Sequence, residues 1–364
     1  MDKFLQAQFA MLDAVRRAQG DMLGSLGFSP AECGYCIISS GPHWRLRKYG
    51  QTEGEAPLLV VSAPIKRPYI WDLAPPISFV RFCLERHFGV YLLEWLAPTG
   101  EERPAGLADY ADHAISKCVA MVSGESRGVR PFLIGHSLGG TFAAIFCALE
   151  QQSIQGLLLL SAPLCFEPKS SQFRDALVSF LPQEPIADGP VPGSLLSQMS
   201  ALASPDSFVW ARLTDAALSV GDPYARELHA RVERWALDEV SLPGLLVSEI
   251  TQLLYREDRF YKGSLFLRDQ DLGPSRLRVP ILAIVNTADA VVPPGSVKTF
   301  LDKVPGQELR IIEYRRGGGW VAAPRGTCWP PRAYGFSGPK FSLGFTSDAE
   351  RARIDASTRR SGAL

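Results

Sequence analysis

The sequence lacks any uncharged apolar run of the roughly 18 to 20 residues that a bilayer-crossing helix needs. Its opening stretch, MDKFLQAQFAMLDAVRRAQG, is amphipathic and has neither the apolar centre nor the small-residue cleavage site of a secretory signal. No sign of charge is in excess, with Lys plus Arg and Asp plus Glu at 38 each. A balanced chain has no global field to recruit nucleic acid or an anionic membrane. The seven cysteines (Cys33, Cys36, Cys83, Cys118, Cys147, Cys165 and Cys328) are odd in number and scattered through apolar stretches. That pattern is unlike a disulfide framework and suits a reducing compartment, so a cytoplasmic protein is expected. Cys33 and Cys36 make one C-x-x-C pair, but no second pair or histidine cluster completes a zinc site, and no metal or cofactor is expected.

What the chain does have is enough apolar content, 46% of 364 residues, to fill one large α/β core with an insertion. LLVVS (58–62), VYLLEW (90–95), PFLIG (131–135), GLLLLS (156–161) and PILAIV (280–285) are continuous apolar runs, as strands covered on both faces should be. Helical spacing between them gives a β-α-β-α order and a mostly parallel sheet. The organisation predicted is an N-terminal helical segment over 1–56, a core over 57–164 and 271–314, a helical cap inserted over 165–270, and a divergent tail over 315–364.

The segment PFLIGHSLGGTFAAIFCALE sets G-H-S-L-G between a buried strand and an apolar helix, the context of a nucleophile elbow in an α/β-hydrolase fold. A nucleophile on so tight a turn needs small neighbours two residues either side, and Gly135 and Gly139 supply them around Ser137. The following helix aims backbone N–H groups at the carbonyl under attack, so the Leu138 amide is one candidate oxyanion donor. The second should come from SAPIKRPYI, where Pro64 has no N–H and Ile65 is the candidate. Asp289, just past the PILAIV strand in a turn ended by Pro293 and Pro294, is the candidate orienting acid. His136 either packs beside the site or touches substrate, and Cys165 reads as a small buried hydrophobe.

PLLVVSAPIKRPYIWDLAP (57–75), FGVYLLEWLAP (88–98), LADYADHAISKCV (107–119), the elbow, VERWALDEVSLPG (232–244) and LLYREDRFYKGSL (253–265) together resemble the polyhydroxyalkanoate synthase group. The short N-terminal part is similar to its smaller, two-subunit class. The resemblance implies hydroxyacyl transfer from coenzyme A thioesters onto a growing polyester, with an acyl ester or acyl-CoA substrate and a second synthase subunit or a polyester granule as partner. Trp235 and Asp238 match its cap block, as part of an acyl channel or as ordinary cap packing. Synthases of the group carry cysteine where this chain has Ser137. A serine ester exchanges poorly with thiols and ends more readily in hydrolysis, which brings esterase, thioesterase or depolymerase chemistry into view.

A triad of this fold runs Ser, Asp, His along the chain, yet His43, His87, His113, His136 and His229 all precede Asp289. The general base is therefore missing where it is expected, and His229 in the cap is the first substitute to consider. Composition shifts abruptly after Tyr314, at RRGGGWVAAPRGTCWPPRAYG. Reading the back-translated codons from their second base permits Gly-Leu-Gln-His-Leu-Gly-Val-Leu-Val-Gly, a histidine ahead of a Gly-containing apolar run. Two readings stand: a frameshift near Tyr314 or Arg315, or a genuine divergent tail on a non-catalytic relative. The leading functional expectation is acyl transfer or hydrolysis through Ser137 and Asp289. The alternative is a silent relative that binds granules or a synthase partner.

Overall fold

The computed structural model describes residues 3–50, 56–99, 103–181, 189–305 and 308–315. The divergent tail expected over 315–364 lies outside the described residues apart from Arg315. Eight strands form one sheet: β1 (Tyr35–Gly41), β2 (Trp44–Tyr49), β3 (Pro57–Val61), β4 (Gly89–Trp95), β5 (Phe132–His136), β6 (Gly156–Leu160), β7 (Ile281–Asn286) and β8 (Leu309–Tyr314). Their order across the sheet is β1-β2-β4-β3-β5-β6-β7-β8. β1, β2 and β4 pair antiparallel, and every pair from β4 to β8 is parallel. The apolar runs read from the sequence fall on β3 to β7 within a residue or so. Every residue of β3, β4 and β6 is buried, because helices cover both faces.

The helices are α1 (Lys3–Leu23), α2 (Phe79–Leu84), α3 (Ile115–Glu125), α4 (Leu138–Leu149), α5 (Gln172–Phe180), α6 (Gly193–Ala203), α7 (Ala211–Ser219), α8 (Pro223–Leu237), α9 (Gly244–Glu249), α10 (Arg259–Lys262) and α11 (Pro294–Leu301). α4 is buried all round from Leu138 to Ala148, as its uninterrupted apolar sequence demands. It lies with α3 and α11 in the larger core on one sheet face, while Trp71, Val80 and Cys83 pack on the other. α5 to α10 lie between β6 and β7 in the chain.

One expectation needs correction. Residues 1–56 are helical only at their start, and 35–49 form the β1–β2 hairpin on the sheet edge. Its alternation was hidden in the sequence because β2 buries Arg47 beside Trp44, Leu46 and Tyr49, and β1, an edge strand, is largely exposed.

Arg47 is buried because Glu94 of β4 is there to receive it. The Glu94 carboxylate, 1% exposed, accepts from Arg45 Nε and Arg47 Nε at 2.6 Å each, and Arg47 also reaches Glu32 at 2.6 Å. Burial pushes Glu94 up, but hydrogen bonds and charge from Arg47 and Arg45 outweigh it and hold the carboxyl below its ordinary value. A depressed acid contributes stability above its unfolded pKa that is lost as pH falls through the folded one. Glu94→Gln should therefore cost about 3 kcal/mol at pH 7, the lower end for breaking a buried pair, since Arg45 is partly solvated. The deficit in unfolding free energy, measured in urea, should shrink as pH drops below the ordinary glutamate value. A deficit constant with pH would assign the loss to packing instead.

Candidate active site

Ser137 sits at the junction of β5 and α4 with φ +52° and ψ −134°, a region that L-residues avoid. Its amide donates to Leu160 O at 3.1 Å, and its carbonyl accepts from the Gly140 and Thr141 amides at 2.9 and 3.2 Å. The side chain is left half-buried and facing a cavity. Glycine is obligatory around it: a Cβ on Gly139 would stand 2.3 Å from Val61 O, and one on Gly135 would stand 2.4 Å from Gly140 Cα. The contact with Val61 and Ser62 brings the end of β3 against the start of α4. The loop that follows, with Ile65, thereby lies along the same cavity as Ser137 and Leu138.

That cavity holds about 450 Å³, between the carboxyl ends of the strands and helices α5 to α8. Of the predicted residues, Ser137, Leu138, Ile65, His136 and Trp235 line it. Asp289 does not line it directly, but Val291 and Val292 do, and their amides donate to Asp289 Oδ1 at 2.9 Å each. Burial pushes the Asp289 carboxyl above the usual carboxylate range, against the pull of those amides and of the Ser161 hydroxyl. Ser161, at φ +41° directly after β6, was not singled out from the sequence. The only signal for it is its place one residue beyond a strand end beside β7.

Asp238 stays outside the lining residues, 3.5 Å from Arg67 in an ion pair that ties the cap to the core and 3.9 Å from Arg234 one turn back on its own helix. Trp235 Nε1 donates to Arg67 O at 2.8 Å, and the Arg234 guanidinium stacks 5.6 Å from the Tyr69 ring centroid. The cap block thus grips the R-P-Y-I segment. His136 faces the Trp71 ring edge-on at 6.3 Å, and burial pulls it down to about 4, so it is neutral at pH 7. Cys165 lines the cavity with almost no exposure. Burial, Asp258 and Glu167 push its thiol up to about 11, so it holds its proton at neutral pH. His229 is absent from the lining, as are His43, His87 and His113. The C-terminal end of β8 comes close to the candidate acid: Thr287 N donates to Tyr314 O at 2.7 Å, two residues before Asp289.

A Gly140→Ala replacement tests the elbow packing directly, since its Cβ would meet Ala162 Cβ at 2.4 Å. Overpacking of this kind costs about 1 to 3 kcal/mol. Gly140→Ala should unfold earlier in urea by that amount, and Ala162→Gly should restore part of it in the double variant. No recovery would mean that the backbone, not this contact, sets the cost.

A family model described as alpha/beta hydrolase fold matches residues 72–317. The poly(3-hydroxyalkanoate) polymerase subunit PhaC of Haloferax mediterranei is 31% identical over 273 residues, 73% of this chain and 55% of that protein. The subunit of the same name from Haloarcula marismortui is 28% identical over 267 residues, 72% and 56% of the two chains. That from Synechocystis sp. is 25% identical over 291 residues, 77% and 76%. The chain spans a little over half the length of the first two relatives.

Proposed function

The chain belongs to the alpha/beta hydrolase fold family, and from that premise we propose that it transfers or hydrolyses hydroxyacyl groups held as esters or thioesters, with Ser137 as nucleophile and Asp289 as orienting acid. The observation that carries the reading is the strained, glycine-flanked Ser137 in the lining of the cavity. The relatives named as poly(3-hydroxyalkanoate) polymerase subunits support hydroxyacyl groups as the class. In this reading Ser137 Oγ attacks the acyl carbonyl, and the Leu138 and Ile65 amides receive the oxyanion. Collapse of the intermediate breaks the ester or thioester bond and expels the alcohol or thiol, which takes up the proton lost by the serine. Water or a hydroxyl acceptor then attacks the acyl-serine, takes the acyl group and returns a proton to Ser137 Oγ. Serine in the place where the resemblance expects cysteine tilts the outcome toward hydrolysis, because its ester is a poor partner for thiol exchange.

The limiting part is the proton. No histidine follows Asp289 in these 364 residues, and of the five present only His136 lines the cavity. A general base contributes about 100-fold to 10,000-fold. Hydrolysis of a p-nitrophenyl acyl ester should accordingly be slow, lost in Ser137→Ala, and accelerated in a saturable way by added imidazole only when Ser137 is present. A version with the reading frame restored after Tyr314 should run at least 100-fold faster than the unaltered chain. Equal rates for Ser137→Ala and the parent would remove Ser137 from the chemistry.

For the partner, the N-terminal helix is the part that supports a polyester surface or a second subunit. Phe4, Met11, Val15 and Met22 of α1 are 44% to 71% exposed. At 100° per residue they fall within an arc of about 40°. The opposite face is occupied, with Asp13 accepting from Ser194 N at 2.8 Å. Met11→Asp with Met22→Asp should weaken retention on polyester particles, or on the partner subunit, at least tenfold in a sedimentation assay with no change in melting temperature. Retention equal to the parent would move the partner surface elsewhere.

A further inference from the structure

Six charged side chains line the cavity, and five of them are cations: Arg16, Lys66, Arg67, Arg174 and Arg212, against Glu233 alone. The chain as a whole is neutral, so the charge has been sorted locally. The carboxylates that pair with four of these cations, Glu239 for Arg16 and Lys66, Asp238 and Glu94 for Arg67, and Asp175 for Arg174, are not among the lining residues, whereas Glu233, which pairs with Arg212, is.

Three of the cations form one wall. Arg16 comes from α1, Lys66 from the loop after β3 and Arg212 from α7. Arg16 grips Glu239 through Nε and Nη2 at 2.7 and 2.6 Å, Lys66 Nζ reaches the same carboxylate at 2.9 Å, and Arg212 Nε reaches Glu233 at 2.9 Å. Three positive charges thus share two carboxylates. Burial pushes Lys66 down to about 8, and the charges of Arg16 and Arg212 add to that effect against the pull of Glu239. A latch between cap and core needs pairs of opposite charge, whereas this wall carries one cation more than its two carboxylates balance, with Glu239 outside the lining and Glu233 within it. Excess positive charge beside a cavity favours a planar or tetrahedral oxyanion.

We infer that Arg16, Lys66 and Arg212 form a subsite for an anionic group, a carboxylate or a phosphate, carried by the ligand of this cavity. The inference deepens the proposed function and rests on its reading that the acyl group is delivered to Ser137 here. The anion has two sources: a carboxylate at the far end of the acyl chain, or the phosphates of the leaving group.

The test uses the full chain carrying Ser137→Ala, titrated by calorimetry with glutarate and with adenosine 3′,5′-bisphosphate, each beside its uncharged counterpart, dimethyl glutarate or adenosine. At least one anion should bind tenfold or more tightly than its counterpart. Glutarate as the winner assigns the anion to the acyl chain, and the bisphosphate assigns it to the leaving group. Lys66→Met and Arg212→Gln should each weaken that binding at least tenfold, with Arg212→Lys recovering part of it. Should a variant fail to fold, the parent's own affinity must still fall steeply as salt is raised. The inference is overturned if neither anion outbinds its neutral counterpart, if salt leaves the affinity unchanged, or if folded variants bind like the parent. Ser137 is absent from the protein titrated, so a failure of ester hydrolysis leaves this result standing, and a failure to bind anions leaves the role of Ser137 untouched.

Discussion

The approach of α4 to the end of β3 governs the site. Gly139 packs on Val61 O and Ser62 O so closely that no side chain fits, and Gly140 does the same against Ala162. Ser137 is held at positive φ between them, a strain of about 1 to 3 kcal/mol that persists because the sheet and the buried helix over-determine it. The hydrogen bond from its amide to Leu160 O fixes the turn to β6. Three neighbouring strands, β3, β5 and β6, thereby converge on one residue. The cavity opens where their carboxyl ends meet the cap.

Much of this was legible because it is local. The glycines, the serine and the flanking strand and helix lie in one stretch of sequence, and buried parallel strands announce themselves as apolar runs. The β1–β2 hairpin was not legible: Arg47 sits in a buried position only by virtue of Glu94, nearly fifty residues on, and no periodicity reveals such a pairing. The same holds within the site. Ser161 meets Asp289 only once β6 and β7 lie side by side. The Arg16, Lys66 and Arg212 wall is assembled from three segments that share no pattern. Charge sorting around a cavity is a property of the folded surface, and a composition with equal numbers of both signs conceals it.

Leu246, Ile250, Leu254 and Phe260 of the insertion belong to the large apolar core, whereas α8 and the R-P-Y-I segment are joined chiefly by polar contacts. Trp235 donates to Arg67 O, Arg234 donates to the Tyr69 hydroxyl at 2.9 Å, and Lys66 donates to Ala236 O at 2.5 Å. A small apolar cluster of Tyr69, Leu73, Ile77, Leu228 and Val232 supports them. The segment over 65–70 is therefore shared: Ile65 at its start is the candidate oxyanion residue, and the R-P-Y-I that ends it is gripped by α8. A shift of α8 would move the Ile65 backbone, whose carbonyl accepts from Val240 N at 2.8 Å beyond that helix. The cap and the Ile65 backbone are thus linked directly.

The candidate nucleophile and oxyanion amides line one cavity with the candidate acid just behind it, whereas of the five histidines only His136 lines that cavity. Oxyanion donors at a helix start contribute about 100-fold to 1,000-fold on their own, and they need no titrating group. The candidate acid is another matter. Asp289 is buried, raised above the usual range, and satisfied by the Val291 and Val292 amides and the Ser161 hydroxyl. No cation is among those partners, although an imidazolium would lower its pKa. His136 is neutral and turned to Trp71, and Lys66 is committed to Glu239 and the Ala236 carbonyl. Neither is arranged as a substitute. The Tyr314 carbonyl bonded to Thr287 brings the end of β8 beside the Asp289 turn. A base introduced there would stand close to the candidate orienting carboxylate.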